Sequence, residues 1–315
     1  MTGRRSDLRE WWLKRFESLK GNKKVTAEQL YTGLPNSLKN VVDRDGEWGY
    51  WTLFKLAIHA YYLPIYTNII KKWFSPVAYV DTFAGCGLIK VGKDKPQYFL
   101  GSALLSILIP KGDKRFDRFI LIDADPDKIN VLKSLLEQLS KRGHILKSSY
   151  EAICDDMNKL QYERLLKDCK HSLIFIDPYG LEPNFSTIQV LAALPCDLII
   201  NYMDSGVKRV FGDKEKNREK LSAFFGKDVY DVDDSEVLYG LYLENIRRLN
   251  RKTFDISVKG LGGFGYKIIF AVRPTKGDNP WLNALNKLKD RVEDTKRETF
   301  ETILKQFAGE QASLD

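Results

Sequence analysis

Val77-Ala-Tyr-Val-Asp-Thr-Phe-Ala-Gly-Cys-Gly87 is the stretch that decides the fold. An apolar run ends in a carboxylate, Asp81, and turns at once into a loop carrying Gly85 and Gly87. The run reads as a buried strand that delivers an acid and a tight turn to one edge of a parallel sheet. Glycine tolerates positive φ and lets a ligand approach the backbone closely. In open α/β sheets, ligands bind just outside the carboxyl ends of the strands.

A Gly-x-Gly pair also opens the dinucleotide fingerprint, which demands a third Gly or Ala three residues on and an acid about 20 residues later. Lys90 stands at the first of these positions, and the next strand-end acid, Asp123, comes much later. Both tests fail. A negative charge at the turn also disfavours a pyrophosphate. It favours a cofactor with a cationic end, such as the α-amino group of S-adenosylmethionine.

Outward from this stretch, strands alternate with helices. Phe119-Ile-Leu-Ile-Asp123 is a second strand, and Asp125 caps a helix with Pro126 at its first position. That helix carries Ile129, Leu132, Leu136 and Leu139 and stops near Gly143. A weaker strand, Ala152-Ile-Cys154, ends at Asp155 and Asp156. Leu173-Ile-Phe-Ile-Asp177 leads into Pro178-Tyr179-Gly180, and Asp197-Leu-Ile-Ile-Asn-Tyr-Met203 follows. Alternating βα units imply a parallel sheet covered on both faces. Residues 204–252 read as two charged helical segments. Phe254–Val258 and Tyr266–Val272, joined by a Gly260–Gly265 turn, must then be antiparallel, because a parallel pair needs a crossover of about a dozen residues. The pattern predicts an α/β, Rossmann-like class I methyltransferase fold. Its sheet is mostly parallel and seven-stranded, its last strand is antiparallel, and N-terminal helices and a helical insert are added to it.

The flanks read as helical. Ser6 or Asp7 can cap a helix whose apolar face is Leu8, Trp12, Phe16 and Leu19. Residues 21–49, with Gly, Pro and Asn punctuation, read as irregular. Trp51, Phe54, Ile58, Tyr61, Tyr62, Ile65, Ile69 and Trp73 form a second stripe, which Pro64 should kink or divide. Such aromatic stripes are expected to be packing surface. The expected organisation is a helical extension at 1–75, a methyltransferase domain at 76–275 with its insert at 204–252, and C-terminal helices at 276–315.

The chain has 315 residues and 43% hydrophobic composition, enough to bury a large core. No run approaches the ~20 apolar residues of a membrane helix, and the start, Met-Thr-Gly-Arg-Arg-Ser-Asp, has no signal-peptide core. Cys86, Cys154, Cys169 and Cys196 form no C-x-x-C pair. With three scattered histidines they make no metal site, and a reduced cytoplasmic compartment is expected. The net charge is +8. Basic residues gather near the start, at Arg247, Arg248, Arg251 and Lys252, and above all at Lys208, Arg209, Lys214, Lys216 and Arg218. Such patches suit RNA or DNA, although Asp213, Glu215 and Glu219 are interleaved, as on an ordinary solvated helix face.

Four strand ends thus carry acids. Asp81 suits a methionine amino group, Asp123 a pair of ribose hydroxyls, and Asp155 or Asp156 an adenine amino group. Phe83, Ala84, Gly85 and Gly87, with Ala124 after Asp123 and with Asp177, complete the candidate cofactor set. Asp177, Pro178 and Tyr179 are the candidate catalytic residues. An exocyclic base amine is a poor nucleophile because its lone pair is delocalised, and a carboxylate accepting its hydrogen localises that pair. Pro178 fixes the backbone. Tyr179 can stack on a base, which is worth ~1–3 kcal/mol. A structural Asp-Pro turn is the bland alternative. Cytosine C5 chemistry would need a nucleophilic cysteine, and Cys196 precedes its strand, at the wrong end of the sheet.

Asp81-Thr-Phe-Ala-Gly-Cys-Gly87, Gly101-Ser-Ala-Leu-Leu105, Ile176-Asp-Pro-Tyr-Gly180 and Ile199-Ile-Asn-Tyr202 together resemble the three-Cys-motif partner family (TcmP) over roughly residues 50–280. The family usually has Pro where this chain has Cys86 and Ala103. The resemblance implies an S-adenosylmethionine-dependent methyltransferase fold. It also implies a neighbouring partner protein, similar to radical-SAM enzymes, that carries the three cysteines. Asp177-Pro-Tyr-Gly180 is further similar to the Asp-Pro-Phe-Gly of tRNA guanine dimethyltransferases and, more loosely, to the Asp-Pro-Pro-Tyr of adenine amino-methyltransferases. Three readings follow: a base N-methyltransferase on RNA or DNA, a methyltransferase on a protein or small molecule, and a non-catalytic cofactor-binding module.

Overall fold

The computed structural model describes residues 2–45, 51–92, 95–259, 265–275, 280–295 and 297–307. The chain opens with helices α1 (Thr2–Leu19), α2 (Ala27–Thr32), α3 (Asn36–Asp45) and α4 (Trp51–Ile70). Then come β1 (Val77–Asp81), β2 (Leu88–Val91), β3 (Gln97–Leu100), α5 (Ser102–Leu108), β4 (Arg118–Asp123), α6 (Pro126–Lys141) and β5 (Tyr150–Cys154). They are followed by α7 (Tyr162–Leu165), β6 (His171–Ile176), α8 (Phe185–Ala193), β7 (Cys196–Tyr202), α9 (Asp204–Phe211), α10 (Arg218–Phe225) and α11 (Ser235–Arg248). The last elements are β8 (Lys252–Lys259), β9 (Gly265–Val272), α12 (Pro280–Glu293) and α13 (Arg297–Phe307).

Seven strands form one sheet in the order β5-β4-β1-β6-β7-β9-β8. The first five are mutually parallel, and β9 runs antiparallel to both β7 and β8. This is the Rossmann-like class I methyltransferase fold. The strand order turns back at β1, whose neighbours are β4 on one side and β6 on the other, and such a switch point opens a crevice at the carboxyl ends of the strands.

Every residue of β1 is buried, as expected of a strand covered on both faces. Val77 and Tyr79 face a core shared with α1, α4, α5, α6 and α12. Ala78 and Val80 face a second core shared with α8, α10 and α11. The two ends of the chain meet on the first face. Trp12 packs edge-on against Phe54 and Phe300, and its indole N–H donates to the Thr295 hydroxyl at 3.0 Å. Burying such rings dominates the energetics of a core, so the terminal helices are part of the folded body.

Several sequence expectations are corrected. Helix α1 begins at Thr2, before the expected caps Ser6 and Asp7, which fall within its first two turns. Residues 27–45 are mainly helical rather than irregular. Thr26 accepts from the Gln29 amide while the Gln29 side chain accepts from the Thr26 amide, a reciprocal cap that starts α2. Gly33 and Pro35 separate two short helices. Pro64 does not divide α4, because Tyr62, Leu63 and Tyr66 around it are buried and packing outweighs the lost hydrogen bond.

Residues 204–252 hold three helices, not two. All three contribute to the second core, through Val207 of α9, Phe224 of α10 and Tyr242 of α11. An antiparallel pair, β2 with β3, was not foreseen. Of the expected Gly260–Gly265 turn, residues 260–264 lie outside the described ones, and Gly265 opens β9.

Candidate active site

The loop after β1 is held from three sides. The Asp81 carboxylate accepts from the Phe83 amide at 3.2 Å and from the Tyr79 hydroxyl at 3.3 Å. The Ala84 amide donates to the Ile122 carbonyl at 2.8 Å, and the Gly85 amide donates to Asp123 at 2.9 Å. Gly85 and Gly87 have φ of +58° and +81°, a region that penalises other residues. Their surroundings differ. A Cβ on Gly87 would come within 2.9 Å of Leu132 on α6, whereas one on Gly85 would meet nothing within 4 Å. Gly87 therefore serves packing, while Gly85 leaves open space above the loop.

That space belongs to a cleft of about 490 Å³. Phe83 to Ile89 form one wall, and Gly101 with Ser102 at the start of α5 lie beside it. Asp177, Pro178 and Tyr179 line another side, and Met203, Ser205, Gly206 and Arg209 a further one. Thr52, Lys55 and Leu56 of α4 and Lys128 of α6 complete it. Loops and helix starts at the carboxyl ends of β1, β6 and β7 thus meet one helix from outside the sheet.

Asp177, one residue past β6, is the one acid on this lining among the described residues. The Lys55 ammonium lies 2.7 Å from each of its carboxylate oxygens. The Asn201 amide, at the end of β7, donates to Oδ1 at 2.7 Å. The side chains of Lys55 and Asp177 are each only 14% exposed. A carboxylate offers about four lone-pair sites. Two donors on Oδ1 and one on Oδ2 leave one for a further hydrogen. Pro178 is buried, while the Tyr179 ring is 45% exposed, with the Lys128 ammonium 5.1 Å from its centre and donating to its hydroxyl at 3.3 Å.

Of the residues expected from sequence, the cleft brings together Phe83, Ala84, Gly85, Gly87, Asp177, Pro178, Tyr179 and Arg209. Asp81 and Asp123 lie beneath the loop rather than on the cleft wall. Asp81 is fully buried. That burial pushes its carboxyl up to about 7, the charge of Asp177 adds to the effect, and hydrogen bonds from Ser102 and Phe83 oppose it. Asp123 spends one oxygen on Gly85 and the other on the Asp125 amide at 3.0 Å. Ala124, Asp155 and Asp156 stand outside the lining. Asp156 caps a short helical turn through the Asn158 amide at 2.9 Å.

The basic cluster divides. Lys214 pairs with Asp233 and Arg218 with Asp228, and both cations flank the Tyr230 ring. Lys208 and Lys216 are exposed away from the cleft. Cys196 is buried at the start of β7, where burial pushes its thiol up to about 12 and its S–H donates to the Leu191 carbonyl at 3.1 Å. Among the described residues no three His, Cys, Asp or Glu side chains gather as a metal site, and no helix is long and apolar enough to cross a membrane.

Sequence reasoning missed Lys55, Asn201 and Ser102. Lys55 carried a signal, as the single Lys, Arg, Asp or Glu of a twenty-residue helix rich in aromatic and aliphatic residues. Asn201 stood inside a quoted motif without a role.

No family model matches this sequence, and no curated protein matches it. The resemblance to the three-Cys-motif partner family, and with it the partner protein, stands on the quoted motifs alone. Solved structures with a similar arrangement include a Legionella pneumophila protein, at 15% identity over 75% of this chain and 91% of that one, with a TM-score of 0.48. Another is a Pyrococcus horikoshii protein provisionally described as an RNA methyltransferase, at 12% identity, 87% and 100% coverage, and a TM-score of 0.39. A third is Trm1 from Pyrococcus horikoshii in complex with S-adenosyl-L-methionine, at 10% identity, 68% and 55% coverage, and a TM-score of 0.38. The fold assignment rests on the strand order, to which these likenesses add nothing.

Proposed function

We propose that this protein is an S-adenosylmethionine-dependent methyltransferase acting on an exocyclic amine of a base in RNA, with DNA as the neighbouring possibility. The observation that carries the reading is Asp177. It is the one acid on the cleft lining among the described residues, the lining also holds a glycine loop, and an exposed tyrosine follows it two residues on. The open space above Gly85 suits a bound cofactor, and Asp123, tied to that loop, suits the ribose.

S-adenosylmethionine, when bound, would supply an electrophilic methyl group on a cationic sulfur. The chain's own residues do the rest. Asp177 accepts an amine hydrogen at its remaining lone pair, which localises the nitrogen lone pair, and then takes the proton that the alkylated amine sheds. Pro178 fixes the backbone angle that presents Asp177. Tyr179 stacks on the extruded base. Arg209 on the cleft lining suits a flanking phosphate.

A second reading, a protein or small-molecule substrate, is favoured by one observation: the pairing of Lys214 and Arg218 with acids weakens the insert as a footprint for nucleic acid. Two titrations test the proposal. Calorimetry should give saturable one-to-one binding of S-adenosylmethionine. Filter binding to tRNA should weaken steeply with salt. Cofactor binding without RNA binding would favour the second reading, and absence of both would overturn the proposal.

A further inference from the structure

We infer that Lys55 is a positioning residue for Asp177, so that helix α4, from outside the sheet, completes the reaction centre. The inference rests on the amine-methylation reading given above.

Four observations carry it. First, Lys55 is the only Lys, Arg, Asp or Glu in α4, a helix of mostly aromatic and aliphatic residues, and a buried ammonium is costly without a partner. Second, its partner is the catalytic candidate itself, held at 2.7 Å by both oxygens. Third, Asn201 adds a donor at 2.7 Å and is itself 1% exposed, so the carboxylate is fixed from two elements. Fourth, a second carboxyl, Asp81, lies close by, fully buried and hydrogen-bonded to Tyr79, whose hydroxyl meets the His59 ring 2.9 Å away on the same helix α4. Helix α4 thus meets both acids, Asp177 through Lys55 and Asp81 through His59 and Tyr79. Lys55 holds Asp177 in place as the acceptor. Burial holds Asp81 back, with its carboxyl at about 7.

A merely structural ion pair would tie α4 to β6 and nothing more. The two roles differ in their variants. Lys55→Met keeps the apolar stem and removes the charge. It should lower the melting temperature, because Asp177 loses a partner, but below that transition it should bind S-adenosylmethionine within a few fold and lose turnover by about tenfold or more. Lys55→Arg should restore much of that loss. In the Asp177→Asn background, Lys55→Met should cost nothing further, because the two residues act as one unit. Wild-type turnover in Lys55→Met, or losses that multiply in the double variant, would overturn the inference.

A second measurement needs neither cofactor nor activity. Acylation of lysines in the wild-type protein, followed by mass spectrometry, should leave Lys55 protected while the exposed Lys216 is labelled. Lys55 should become reactive in Asp177→Asn. Labelling of wild-type Lys55 as fast as Lys216 would show that the pair does not persist in solution, and would overturn the inference. A protected Lys55 in a protein that transfers no methyl group would sink the methylation reading instead.

Discussion

The amide of Gly85 donates to the carboxylate of Asp123 across 2.9 Å, so the loop after β1 is anchored by the acid at the end of β4. One side chain thus shapes the glycine turn and, on the proposed reading, also meets the ribose. Asp123→Ala should weaken S-adenosylmethionine binding by about tenfold or more, since hydrogen bonds to a charged group are worth ~1.5–3 kcal/mol each. Asp123→Asn, which still accepts from Gly85, should lose less. Calorimetry on the two variants measures this, and equal affinity in Asp123→Ala and wild type would remove Asp123 from the cofactor site.

Gly85 and Gly87 should separate stability from binding. Gly87→Ala forces a methyl group against Leu132 and should cost roughly 1–3 kcal/mol of folding stability, besides its backbone strain. Gly85→Ala meets open space and should cost only about 1 kcal/mol, from the left-handed backbone. Its larger effect should fall on cofactor binding. Urea unfolding paired with calorimetry distinguishes the two. Equal loss of stability in both variants would contradict the assignment of the open space to a ligand.

The buried carboxyl of Asp81 gives a pH dependence of known sign. Burial raises it from 3.8 to about 7, so between about pH 4 and 7 the folded chain holds a proton that the unfolded chain has lost. Its contribution to stability therefore falls as pH rises through that window and is flat above it. His59 and His171, lowered by burial to about 3 and about 4, act in the opposite direction as pH falls below 6.5, so wild type alone is uninformative. The difference between Asp81→Asn and wild type isolates Asp81. It should shift in favour of the variant by on the order of 2 kcal/mol between pH 5 and pH 8. Parallel stability curves would show that Asp81 ionises freely in the folded state.

Charge reversal should rank the basic residues by their place rather than by their number. Arg209→Glu, on the cleft lining, should weaken tRNA binding and lower the salt slope by about one. The double variant Lys214→Glu, Arg218→Glu removes cations already paired with Asp233 and Asp228 and should weaken binding less than Arg209→Glu. The reverse ranking in filter binding would move the footprint to the insert.

The sheet was legible because β1, β4 and β6 are short buried apolar runs that end at or next to a carboxylate, and the hairpin of β8 and β9 forced an antiparallel end. Short elements were not. Strands β2 and β3 have four residues each, too few to show alternation, and α2 and α3 hid among Gly, Pro and Asn. The reciprocal cap of Thr26 and Gln29 was the readable signal there. Asp177, Pro178, Tyr179 and the glycine loop were found because they lie on strand ends in one motif each. Lys55 escaped because its meaning is tertiary: it meets a carboxylate 122 positions away, and a lone lysine in an aromatic helix reads as a surface position. Lys214 and Arg218 read as an open basic patch because Asp233 and Asp228, which pair with them, lie 19 and 10 residues further on.

Methyl transfer from labelled S-adenosylmethionine to total RNA, compared across wild type, Asp177→Ala and Tyr179→Phe, tests the central claim most directly. The account predicts that wild type labels RNA on an exocyclic base amine. Asp177→Ala should bind cofactor within a few fold but lose most turnover, because Asp177 acts on the amine in the transition state. Tyr179→Phe should be mild, because the ring and not the hydroxyl does the stacking. Equal labelling by wild type and Asp177→Ala, or a product methylated on ribose oxygen or ring carbon, would contradict it.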